Sequence, residues 1–276
     1  MAITDSYGID SITTKTPRVP SRIVPYGAGG VGKTSFAAQF PKPVFIIVAG
    51  ETGLLSLLSA GQLSNVPHFP IVENLDQLYL TLGALSGEHP YQTIVLDSLS
   101  ALEQVVSDHV CTRDFKGDFG ERGFGGYGRG YKMVAQEFDM ILKMLEQLWL
   151  RGLTIILIGH SHVTTFKNPE GPDFDRYTVN LRDAFWAKVK EWADEVWFMK
   201  SGVSIDASER KATGDYVRYL HTLDHPSYDA KSRKGMPATI KLGESAKESY
   251  DLVMAAAKAV KLQPQPEKET ANADES

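Results

Sequence analysis

Apolar and polar positions divide the chain into short branched apolar runs separated by stretches with helical spacing. The runs at 22–26 (RIVPY), 44–50 (VFIIVAG), 93–97 (TIVLD) and 154–159 (TIILIG) are nearly unbroken, which predicts strands buried on both faces of a parallel sheet. Segments 34–40, 75–86 and 131–149 repeat apolar residues at three and four, predicting helices that cover that sheet on both sides. Pro25 is expected near a strand end, where its missing N–H costs little. Beyond 195 the texture changes. Runs at 195–202, 216–224 and 238–243 predict a more antiparallel extension, with a hairpin joining the first two. An Ala-rich helix is predicted over 244–261. The organisation expected is an N-terminal segment (1–21), one α/β domain (22–261) and a disordered acidic tail (262–276), the last too polar and proline-interrupted to pack.

Composition narrows this little. The 276 residues and 42% hydrophobic content suit one core-forming domain. The polar start and the lack of a long apolar run predict a cytoplasmic protein without membrane contact. A single cysteine, Cys111, excludes an internal disulfide and a cysteine-rich metal site. A net charge of −5 argues against a uniformly basic nucleic-acid coat but leaves local patches open.

The strongest chemical signal is GAGGVGKT at 27–34, which fits G-x-x-x-x-G-K-[ST] between a predicted strand and a predicted helix. In such a loop the backbone N–H groups of Gly27, Ala28, Gly29, Gly30, Val31, Gly32, Lys33, Thr34 and Ser35 can turn onto phosphates. Lys33 reaches the outer phosphates and the Thr34 hydroxyl can ligate Mg²⁺. No N-K-x-D element is present to read guanine, so ATP with Mg²⁺ is the expected pair. Asp97, closing an apolar strand, is the expected Mg²⁺-side carboxylate.

Hydrolysis also needs a group that orients or deprotonates water. Ser98 follows Asp97, so the expected base is Glu51 at the tip of the preceding strand, with a plain surface glutamate as the alternative. His160, just past the fourth strand, is placed where an imidazole can contact the γ-phosphate; a structural histidine is the alternative. His162 lies two residues on, but no third metal ligand accompanies the pair. The glycine-rich segment 112–132 interleaves aromatic and basic residues. Phe124, Tyr127 and Arg129 are the expected single-stranded DNA contacts, against the alternative of a lid or a packing segment.

Taken together, Gly27 to Thr34, Glu51, Asp97 and His160 resemble the RecA-like P-loop ATPases, in particular the phage-encoded ones built on a minimal recombinase core. The resemblance spans 22–243 and implies a RecA-like P-loop NTPase fold and a DNA-stimulated ATPase. It implies work on single-stranded DNA in phage recombination or replication, by annealing or strand exchange. It also implies a homo-oligomeric ring or filament with composite sites, with a single-strand-binding protein as a candidate partner. Lys231 and Arg233 in AKSRKG look like the K-x-R pair that completes a neighbour's catalytic site in such assemblies, a solvated basic turn being the alternative. By position, the segment after His162 resembles a DNA-contacting loop. Where these proteins often carry Gln as the sensor, this chain has His160. A P-loop kinase of a small acceptor and a nucleotide-switched assembly ATPase stay open as other classes.

Overall fold

A computed structural model describes residues 8–14, 19–206 and 211–261. The predicted apolar runs are strands β1 (Arg22–Gly27), β2 (Pro43–Ile47), β3 (Thr93–Asp97) and β4 (Thr154–Phe166). They are followed by β5 (Phe174–Val179), β6 (Glu195–Asp206), β7 (Lys211–His221), β8 (Lys231–Ser232) and β9 (Thr239–Lys241). All belong to one nine-stranded sheet of order β2-β3-β4-β1-β6-β7-β9, with β5 beside β4 and β8 beside β6. Strands β2, β3, β4, β1 and β6 run parallel, while β5, β7, β8 and β9 add antiparallel edges. The expected β6–β7 hairpin pairing is present.

Parity along the parallel strands decides what each face packs against. Val24, Ile46, Leu96, Leu157 and Phe198 point to one core, while Ile23, Phe45, Val95, Ile156 and Trp197 point to the other. The first core is covered by α3 (Leu75–Ala84), α4 (Leu99–Phe115), α5 (Arg129–Leu150) and α6 (Asp183–Trp192). The second is covered by α1 (Lys33–Ala37), α2 (Gly53–Ser59) and α7 (Ala246–Lys261). In α5 the buried residues Val134, Phe138, Ile141, Leu145 and Leu148 recur at helical spacing, each burial stabilising by about 1.5–3 kcal/mol.

Three expectations are corrected. Pro25 lies inside β1, where the β1–β4 register pairs Ile23 and Tyr26 but not Pro25, so its missing N–H falls in a gap of that ladder. The segment 112–132 is not one loop, because α4 runs to Phe115 and α5 begins at Arg129. The segment after His162 is the rest of β4, then β5 and α6, with a hairpin between β4 and β5. The predicted tail, 262–276, lies outside the described residues. Among the described residues no helix is long and apolar enough to cross a membrane.

Candidate active site

The phosphate loop links the C-terminal end of β1 to α1. Gly27 is required by close approach: a Cβ there would lie 2.2 Å from the Met199 carbonyl oxygen on β6. Gly32 stands at φ +99°, a left-handed conformation suited to glycine, and caps α1. Val31 anchors the loop in the second core, and Gly29, Gly30, Thr34 and Ser35 line the cavity above it. Lys33 is buried, and its Nζ donates to the carbonyls of Gly27 and Ala28, each at 2.9 Å. Burial pulls the Lys33 pKa down, opposed by the charges of Asp97 and Glu51.

Thr34 and Asp97 meet at the same cavity: Thr34 Oγ1 donates to Asp97 Oδ2 at 2.9 Å. Asp97 is 4% exposed, and burial raises its pKa against the Thr34 hydrogen bond. One hydroxyl and one carboxylate, both hard oxygen donors, fit Mg²⁺, which keeps waters and shares substrate phosphates rather than filling an all-protein cage. Among the described residues no group of three or more His, Cys, Asp or Glu able to hold a metal occurs.

Beta-sheet register brings the remaining groups together. β4 lies between β3 and β1, with Ile158 opposite Asp97 and His160 opposite Gly27. Past the end of β2, the Val48 N–H donates to the Asp97 carbonyl, and a turn closed by Glu51 N–H to Val48 O delivers the Glu51 side chain to the same place. Ser98 Oγ donates to Glu51 Oε1 at 2.5 Å, and His160 Nε2 lies 3.0 Å from the same oxygen. The His160 hydrogen bond lowers the Glu51 pKa, burial opposes it, and the Ser98 bond adds to the lowering. The carboxylate is thus held ionised, and both bonds fall on Oε1, leaving Oε2 clear of them.

Two contributors were not legible as such in the sequence. Ser98 caps α4 through a long contact to Ala101 N–H and also fixes Glu51; its place after a strand-end Asp was the available signal. Arg218 of β7 lines the same cavity, of about 760 Å³, and no motif marks it.

The other expected site residues are dispersed. Phe124 is 1% exposed and packs against Phe115, Phe119 and Tyr131, so its expected stacking on a base is corrected: the ring is core. Tyr127 is 99% exposed with φ +50°, beside exposed Arg122 and Arg129, whose Nη2 donates to the Arg122 carbonyl. Lys231 Nζ donates to the carbonyls of Lys190, Glu191 and Ala193, closing the C-terminal end of α6. Arg233 pairs with Asp194 and donates to the Glu191 carbonyl. Neither is among the residues lining this chain's own nucleotide cavity.

A phosphate loop on β1, a Thr34–Asp97 contact and helices on both faces of a mostly parallel sheet define a P-loop NTPase. A family model described as an AAA domain matches residues 20–234, and the chain belongs to that family of AAA-type P-loop ATPases. Curated proteins give no match to it.

Proposed function

We propose that the chain is a Mg²⁺- and ATP-dependent ATPase of the RecA-like kind that works on single-stranded DNA. The observation carrying the ATPase reading is the convergence of Lys33, Thr34, Asp97, Glu51 and His160 on one cavity. Loop N–H groups and Lys33 bind the phosphates, and Thr34 with Asp97 would hold Mg²⁺. When bound, that ion neutralises charge on the phosphate oxygens. Glu51 orients water through Oε2 and takes its proton as oxygen bonds to the γ-phosphorus and the bond to the ADP oxygen breaks. Ser98 and His160 position the carboxylate. His160 was expected to contact the γ-phosphate; with Nε2 engaged on Glu51, positioning the base is its better supported role.

The DNA reading is supported by Tyr127, which offers a solvent-facing ring on a glycine-rich segment between two arginines, a combination suited to base stacking and phosphate contact. Resemblance to phage-encoded RecA-like ATPases supplies the setting, recombination or replication, and the expectation of a ring or filament. Lys231 and Arg233 bond within their own chain, to carbonyls at the end of α6 and to Asp194. Binding of a labelled single-stranded oligonucleotide with Mg²⁺-ATP tests the reading. Saturable binding that weakens with salt is expected; absence of binding at low salt contradicts it.

A further inference from the structure

The catalytic groups lie on one side of the phosphate loop. In the sheet order β2-β3-β4-β1-β6-β7, Glu51, Asp97 and His160 belong to the β2, β3 and β4 side of β1. Arg218 comes from the other side, on β7, yet lines the same cavity. Its Nη1 lies 2.6 Å from where a Cβ on Gly32 would stand and 3.4 Å from the Val31 carbonyl oxygen. Its Nη2 donates to the carbonyls of Gly243 and Glu244 at 2.7 and 2.9 Å. The strand holds it there: the Leu242 N–H donates to the Arg218 carbonyl at 2.8 Å, and Leu220, two residues on, is fully buried. The turn at 243–244 leads into α7, and Ser245, Ala246 and Lys247 line the cavity.

The acceptors that Arg218 meets are neutral carbonyls, whereas a guanidinium bonds most strongly to an anion such as phosphate. Its place beside Gly32, away from the Glu51–His160 side, fits the phosphates common to nucleoside di- and triphosphates rather than the one that is cleaved. We propose that Arg218 is a second phosphate-binding cation acting within its own chain. It takes a phosphate oxygen beside Gly32 through Nη1 while Nη2 stays on the 243–244 turn, so nucleotide occupancy is tied to the start of α7. The inference rests on the nucleotide-site reading above.

Titration of Arg218→Gln, Arg218→Lys and Lys33→Ala with fluorescent ADP and ATP analogues tests it, with the fold checked by thermal melting. Gln keeps a polar side chain but removes the charge and, being shorter, gives up the bonds to the two carbonyls. Arg218→Gln is expected to bind both nucleotides roughly 10- to 100-fold more weakly and to the same extent, the worth of a hydrogen bond to a charged group. Arg218→Lys should bind both more tightly than Arg218→Gln. Unchanged affinity in Arg218→Gln while Lys33→Ala loses binding overturns the inference and leaves the nucleotide site standing. Lys binding no better than Gln also overturns it, since the charge is then unused. If Lys33→Ala binds normally as well, the nucleotide reading itself fails. One measurement on the unaltered chain covers a Gln variant that does not fold: saturating ADP should slow amide exchange in the first turn of α7, and no slowing there contradicts the proposal.

Discussion

His160 Nε2 and Glu51 Oε1 lie 3.0 Å apart although 109 residues separate them in the chain. The contact exists because β4 is inserted between β1 and β3, so the residue just past its buried part faces the turn that follows β2. Glu51 is thereby fixed from two directions, by His160 and by Ser98.

That arrangement predicts a graded series in steady-state hydrolysis. Glu51→Gln should lower kcat by ~10²–10⁴-fold, the usual worth of a positioned base, with ATP affinity retained. Ser98→Ala and His160→Ala each remove one bond to Oε1 and should lower kcat less than Glu51→Gln does. Wild-type turnover in Glu51→Gln places the base elsewhere.

The Thr34–Asp97 contact predicts a dependence on divalent cation. Asp97→Asn should raise the Mg²⁺ concentration needed for half-maximal hydrolysis by roughly 10- to 100-fold, the loss usual for a group that orients a metal's ligands. A Mg²⁺ titration at fixed ATP reads this, and an unshifted midpoint removes Asp97 from the metal's surroundings.

Phe124 and Tyr127 should behave oppositely despite standing three residues apart. Tyr127→Ala should weaken single-stranded DNA binding by ~1–3 kcal/mol with an unchanged melting curve. Phe124→Ala empties a core position and should cost ~3–5 kcal/mol of stability. Anisotropy titrations and denaturant melts separate the two, and a Tyr127→Ala variant that binds DNA normally takes the ring out of the interface.

Around Asp194 the charges predict acid sensitivity. Burial pushes the Asp194 pKa up but is outweighed by hydrogen bonds from the Arg22 side chain and N–H and from Arg233, so the carboxyl titrates below its ordinary value. A depressed folded-state pKa means that this stabilisation is full above the unfolded value of about 3.9 and is lost as pH falls through the lower folded value. Asp194→Asn leaves Arg22 half-paired and should cost about 3 kcal/mol near neutral pH, while flattening the loss of stability below about pH 4. Melts across that range check the slope.

The phosphate loop and Asp97 were legible because their chemistry depends on local spacing and on the end of one strand. Glu51 and His160 were singled out by the same reasoning, although β4 runs on to Phe166, so His160 lies inside that strand, where its pairing with β1 ends. Their mutual contact, and the part played by Ser98, depended on strand order, which no local pattern carries. Arg218 was invisible for that reason too, since its position comes from pairing of β7 with β6 and β9. Phe124 misled because an aromatic ring in a glycine-rich run gives no sign of facing inward. The space for its ring comes from Gly130, where a Cβ would lie 2.4 Å from it. The bonds that Lys231 and Arg233 make within their own chain were not legible, because the carbonyls they close belong to α6, a helix hidden in a stretch of mixed charge.

DNA-stimulated hydrolysis is tested most directly by the rate of ATP turnover at saturating Mg²⁺-ATP with and without single-stranded DNA, with Glu51→Gln run alongside. Turnover should rise on adding single-stranded DNA, and Glu51→Gln should lower it by ~10²–10⁴-fold in both conditions. Turnover indifferent to DNA would contradict the proposed function, and wild-type turnover in Glu51→Gln would contradict the proposed chemistry.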